Sequence, residues 1–256
     1  MFTNSRIGVL ILVGVLGHVM ALFWYLVDRQ HFRLTSKRIY DMPFSKGQLR
    51  REALNSLHTP LHAGFLAGAL ALGAFRNTTW LSFFLTLFGT AAWAEIWHYG
   101  SHRLFHLRPL FWIHEEHHKS HLNSPLTAVS FSFLEKFIFD IGMIGLLMLV
   151  DKVVSVNFFG AAGWFMAYLI VNSYGHANFE IRSPAFLTFP GKYVASTVYH
   201  SLHHSRFINN YGLGTRFLDG LFGTEWPDYE DVYRRVTIQL SPLTKLSEKV
   251  GPATKG

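Results

Sequence analysis

Histidine is the residue type in this chain whose spacing most clearly points to chemistry. Of the 15 histidines, eight fall into three tight groups, which read His98-Tyr-Gly-Ser-His102, His114-Glu-Glu-His117-His118 and His200-Ser-Leu-His203-His204. On a helix, residues three and four apart lie on one side, with about 5 to 6 Å between Cβ atoms. The spacing therefore predicts that each group points its imidazoles at one spot. Imidazole suits Zn, Cu, Fe and Ni, and a first-row ion takes about four to six ligands. Eight convergent rings exceed what one ion can use, so the economical reading is two ions. His176 is a ninth candidate, just past an apolar stretch that ends near the same surface. So many imidazoles packed together would repel one another if protonated, and a metal is the usual reason to keep them neutral.

The other histidines carry weaker signals. His18, His31, His58 and His62 read as polar anchors at a membrane interface. His106 and His121 continue the helical spacing of the first two groups and are candidates for a ligand or for a residue that orients one. The chain has no cysteine, which excludes disulfides and thiolate ligands and leaves His, Asp, Glu and backbone groups to hold any metal. No Gly-rich nucleotide fingerprint is present: Gly212 to Gly214 lacks a third glycine and a preceding strand.

Something must bring these groups together, and the composition says what. With 50 % hydrophobic and 15 % charged residues among 256, the chain is too apolar for an ordinary soluble domain. Residues 7–27, 57–75 and 80–97 each run close to the roughly 17 to 25 apolar residues a spanning helix needs. Residues 131–150 and 153–171, parted by Asp151 and Lys152, read as a helical hairpin across the bilayer. The expected fold is all-α: a multi-pass transmembrane bundle with a cytosolic histidine-rich helical cap. Residues 1–79 would form N-terminal membrane helices and a basic loop, 80–226 the histidine-bearing catalytic domain, and 227–256 a polar C-terminal tail.

The formal charge of +7 belongs to this topology and not to nucleic-acid binding. Arg29, Arg33, Lys37, Arg38, Lys46, Arg50 and Arg51 gather between the first two spans, whereas the links at 76–79 and 151–152 carry one basic residue each. The positive-inside rule then places residues 28–56 and all three histidine groups on the cytosolic side.

The order HxxxH, HxxHH and a distant HxxHH, with membrane spans before the last, resembles the sterol desaturase and fatty acid hydroxylase superfamily of membrane di-iron proteins. His98-Tyr-Gly-Ser-His102-Arg103-Leu104-Phe105-His106 resembles the family's first box. Asn210-Tyr211-Gly212 and Phe217-Leu218-Asp219-Gly220-Leu221-Phe222-Gly223-Thr224 are similar to its closing signature, with Leu218 where Trp is usual. Ser132 and Asn172 stand where some members carry further histidines. The resemblance implies that His98, His102, His114, His117, His118, His176, His200, His203 and His204 hold two iron ions, with Asn172 able to complete the shell. It also implies O2-dependent hydroxylation or desaturation of a lipid of sterol or fatty-acyl type, with catalytic residues beyond the ligands unassigned. The two electrons per turnover would come from a separate donor, a cytochrome b5-like or ferredoxin-type protein, docking on a basic surface that includes Arg103, Arg108, Lys119 and Arg206. The setting would be the endoplasmic reticulum or a bacterial inner membrane.

Two rival readings use the same residues. His114-Glu115-Glu116-His117-His118 also satisfies HExxH, the pattern of a zinc metalloprotease in which the glutamate activates water. A metal transporter or haem-binding membrane protein is the non-enzymatic alternative, and a transporter would carry ligands at mid-membrane depth and not at one face.

Overall fold

The computed structural model describes residues 3–29 and 37–251, in which helices dominate and no strand forms beyond isolated bridges. The long elements are α1 (Asn4–Arg29), α4 (Trp80–Phe105), α6 (Phe133–Val150) and α7 (Phe158–Gly175). Each of the last three begins on a side-chain cap that satisfies otherwise orphaned N–H groups. Thr79 accepts from Ser82 N, Ser132 from Glu135 N, and Asn157 from Phe159 N and Gly160 N. Shorter helices are α2 (Gln48–Asn55), α3 (Leu61–Ala71), α5 (Phe111–His118), α8 (Thr197–Arg206), α9 (Phe217–Phe222) and α10 (Tyr229–Thr237).

Helices α1, α3, α4, α6 and α7 close around one apolar core that includes Val13, Leu66, Ala94, Met143, Phe158 and Phe165. Helix α7 runs so close to α4 that a Cβ on Gly160 would lie 2.6 Å from the Phe83 carbonyl oxygen. A second core, built from Ile39, Tyr40, Val198, Leu202, Tyr229 and Tyr233 among others, sits under the cap formed by α8 and α10.

The apolar stretches and the helices differ in one place that matters. Residues 57–75 do not form one spanning helix: Ser56–His58 is a 3-10 turn and α3 has 11 residues, roughly 16 Å of rise against a hydrocarbon core of about 30 Å. Among the described residues one helix, α1, is long and apolar enough to cross a membrane by itself. Helix α6 carries Glu135, Lys136 and Asp140, all buried, which lowers its hydropathy while leaving its outer face greasy. That outer face is part of an apolar surface in which Ile11, Val19, Trp80, Leu81, Phe88 and Ile141 are exposed.

The two short links lie at one end of the bundle, where Phe75 N donates to Asp151 Oδ2. At the other end Arg38 pairs with Asp28 at 3.0 Å, and Ile39 N donates to the Asn178 carbonyl. The links and the histidine cap thus occupy opposite ends. Arg33 of the basic loop lies outside the described residues.

The tail is less polar than its composition suggests. Helix α10 buries Tyr229, Val232, Tyr233 and Val236 in the cap core and shows its charged residues on the opposite side, an amphipathic pattern masked by the high charge of the segment.

Candidate metal centre

The three histidine groups reach the cap on three elements: the last turns of α4, the length of α5, and α8. Their side-chain nitrogens gather into two sets. His102, His106, His114, His118 and His203 form one, and His117, His176, His200 and His204 the other; within each set one nitrogen from every ring lies within 4.8 Å of the rest.

Each HxxHH group is therefore divided between the sets, which corrects the expectation that a group serves one spot. The helix repeat explains it. Residues four apart differ by about 40° around the axis and three apart by about 60° in the opposite sense. The i,i+4 pairs His102/His106, His114/His118 and His200/His204 each stay together, while the i+3 members His117 and His203 turn to the other set.

Outward hydrogen bonds fix the tautomers. Nδ1 of His117 donates to the Ser130 carbonyl at 2.9 Å, that of His176 to Asn172 O at 2.9 Å, and that of His204 to Ser120 O at 3.2 Å. In the other set His102 Nδ1 donates to Tyr211 O at 3.0 Å and His203 Nδ1 to Asn209 O at 2.7 Å. His114 Nδ1 meets Glu135 Oε1 at 2.6 Å. A carbonyl can only accept, so the five rings bonded to carbonyls carry their proton on Nδ1 and present bare Nε2 lone pairs inward. Nε2 of His102, His106 and His114 is buried with no hydrogen-bond partner. This is how metal-binding imidazoles are normally oriented.

The electrostatics agree. Burial, reinforced by the neighbouring imidazoles, holds His114, His118, His203 and His204 well below the usual imidazole range, and burial brings His117 down to about 4. The rings are neutral donors at neutral pH, and a cation between them would offset what their packing costs.

Eight of the nine histidines proposed as ligands lie in the sets, and His106 joins them. His98 lies beside them, its ring 4.7 Å from that of His102 and its Nδ1 unpartnered. His121 is exposed against Phe207. The Asn172 amide nitrogen donates to Ala128 O at 2.9 Å, and its own carbonyl holds His176. His18, His58 and His62 are not free interfacial anchors: each hydrogen-bonds a backbone carbonyl on another element, Ser56, Phe131 and Val13 respectively, and His62 is 1 % exposed. His31 lies outside the described residues. Arg103 and Arg108 are exposed, as is Lys119, which pairs with Glu116, but Arg206 is drawn inward by both oxygens of Asp228 and adds no surface charge.

The closing motif is a clamp for the histidines. Asp219 accepts from Tyr211 N, Gly212 N and Thr224 Oγ1, which fixes the turn whose carbonyls at Asn209 and Tyr211 hold His203 and His102. A Cβ on Gly212 would lie 2.2 Å from Thr215 O, so no other residue fits that turn. Glu52, fully buried on α2, accepts from Gln48, Ser120, Ser124 and Thr127 and so fixes the segment whose Ser120 carbonyl holds His204. Neither Glu52 nor Glu135 was given a role at the site from the sequence; the contact with His114 gives Glu135 one.

A cavity of about 340 Å³ opens beneath these rings. His98, His102, His114, His117, His176 and His200 form its roof, and Phe105, Phe139, Trp164, Val171 and Leu213 are among its apolar walls. The profile of the fatty acid hydroxylases matches residues 86–224, more than half of the chain. This chain belongs to the fatty acid hydroxylase family. It is 33% identical over 147 residues to the very-long-chain aldehyde decarbonylase CER1 of Arabidopsis thaliana, covering 55% of this chain and 23% of that one. It is 30% identical over 145 residues to the very-long-chain aldehyde decarbonylase GL1-6 of Oryza sativa subsp. japonica, with the same coverage of 55% and 23%. Protein CER1-like 1 of Arabidopsis thaliana matches over 224 residues at 28% identity, 83% of this chain and 35% of that one. This fatty acid hydroxylase member thus spans about a quarter to a third of the length of the curated relatives it matches. No solved structure matches it. The two histidine clusters fit the family's use of iron.

Proposed function

We propose that the chain is a membrane di-iron oxidoreductase that uses O2 and externally supplied electrons to hydroxylate or desaturate a C–H bond of a lipid. One observation carries this reading: nine imidazoles converge in two sets, and His102, His114, His117, His176 and His200 among them form the roof of an apolar cavity. His102, His106, His114, His118 and His203 would hold one iron, and His117, His176, His200 and His204 the other, with His98 available to the first. The iron pair would supply the O2 chemistry that attacks an unactivated C–H bond. The protein's part is to aim the Nε2 atoms through carbonyls and Glu135, to keep water away with aromatic walls, and to seat the lipid.

The metalloprotease alternative loses its base. Glu115 is exposed while His114 and His118 are buried, and Glu116 is engaged with Arg51, Asn55 and Lys119.

The bundle is proposed to cross the membrane several times, α1 alone and the other long helices together, with the cap in the cytosol. Its exposed apolar surface supports this placement. A separate reductase partner would dock near Arg103, Arg108 and Lys119. The two named aldehyde decarbonylases favour a second reading of the substrate, a long-chain aldehyde, at the same centre.

The test is lipid extraction from cells expressing the chain or its His117→Ala variant. A lipid that gains one oxygen or loses two hydrogens only with the unaltered chain supports the proposal; an aldehyde that loses its carbonyl carbon supports the second reading. Identical extracts, from cells in which the chain holds iron, would overturn both.

A further inference from the structure

Apart from the imidazoles and Glu135, which gives one oxygen to His114 and keeps Oε2 unpartnered, most polar groups around the cavity are engaged. Glu95 is engaged by Gly214 N and Thr215, Ser101 by the Trp97 carbonyl, Asn172 by Ala128 O, and Ser196 caps α8. Lys136 on α6 differs. It lines the cavity at 4 % exposure, and among the described residues its one hydrogen bond is to Asp140 Oδ1 at 2.5 Å. An ammonium has three N–H donors, so two remain unspent in a place where water is scarce. Tyr168 on α7, also in the wall, accepts from Asn172 at 3.3 Å and has no acceptor for its own hydroxyl hydrogen among the described residues. Both flank Phe139, the lysine nitrogen 5.4 Å and the tyrosine ring 5.9 Å from its ring centroid.

Charge narrows what these donors can take. Lys136 and Asp140 are together neutral wherever the shared proton rests. A carboxylate would bring an uncompensated charge into a buried apolar enclosure, which is costly. A hydrocarbon would leave the donors buried and unmatched. A neutral oxygen, as in an aldehyde, ester or alcohol, accepts the hydrogen bonds and adds no charge.

We propose that Lys136 and Tyr168 form the head-group subsite of the cavity, binding the neutral carbonyl or hydroxyl oxygen of a long-chain lipid. The inference rests on the reading of the cavity as a lipid site. It adds that the polar head enters the protein between α6 and α7 and that a free fatty acid is a poor ligand.

The test is equilibrium binding of radiolabelled hexadecan-1-ol, hexadecanoate and hexadecane to the purified full chain in detergent, with iron content measured on the same samples. The alcohol should bind at least tenfold tighter than the other two. Lys136→Met should bring the three within about threefold of one another, and Tyr168→Phe should weaken the alcohol alone, both with unchanged iron. The proposal is overturned if the unaltered chain does not prefer the alcohol, or if Lys136→Met keeps the preference. Should Lys136→Met fail to fold, the preference of the unaltered chain and the response of Tyr168→Phe still decide. A chain that shows the preference but oxidises no lipid would overturn the oxidative reading and leave the subsite standing.

Discussion

The Nε2 atoms of His117 and His176 lie 3.4 Å apart, although both rings carry their proton on Nδ1, where Ser130 O and Asn172 O accept it. Two lone pairs therefore face each other across a buried gap with no hydrogen between them. His117 comes from α5 and His176 from the end of α7, 59 positions later. Bringing them to this distance costs electrostatic and desolvation energy that a bound cation would reverse.

The membership of the two sets can be tested one residue at a time. His106 and His121 have the same helical spacing, each extending a histidine group by one step, yet one is among the ligand nitrogens and the other is exposed. His106→Ala should lower iron retention and activity by about 10-fold or more, the scale of losing a metal ligand or its close support. His121→Ala should leave both unchanged, as read by metal analysis after dialysis against a chelator.

Glu135 acts on the metal through His114. Its carboxyl at 2.6 Å holds the ring's Nδ1, and orienting partners of this kind are worth about 10- to 100-fold in metal affinity. Glu135→Gln keeps the shape but weakens the acceptor, so chelator resistance should fall on that scale. Glu115→Gln, on the exposed side of the same helix pair, should change nothing.

These outcomes bear on how much was readable beforehand. The histidine groups and their convergence at one end of the bundle follow from spacing and charge distribution, because both are local. The division of each group between two sets did not follow, since it depends on how α4, α5 and α8 are rotated against one another. The roles of Glu52, Glu135 and the carbonyls of Ser130, Asn209 and Tyr211 were not legible for the same reason: each acts through a contact across the fold. Helix α3 was overestimated because an apolar run counts Thr59 and Pro60 as passable, whereas the proline marks a helix start.

The C-terminal segment supplies a pH prediction away from the centre. Bonds from Thr244 N, and then the Arg235 guanidinium, bring Glu248 from the usual carboxylate range down to about 2. A lowered carboxyl pKa stabilises the folded arrangement above the unfolded value, and that contribution is lost as pH falls toward 2. Amide exchange over residues 241–250, taken relative to the intrinsic rate at each pH, should therefore accelerate between about pH 4.5 and 2 in the unaltered chain. In Glu248→Gln it should already be fast at pH 5, and equal protection in the two chains at pH 5 would contradict the role given to this carboxylate.

The central claim is a binuclear centre, and metal stoichiometry tests it most directly. Elemental analysis of the purified full chain should find about two irons per molecule, falling to about one in His117→Ala, whose set would lose its ion while the five-histidine set keeps its own. A single metal in the unaltered chain, or a count that His117→Ala does not change, would contradict the account.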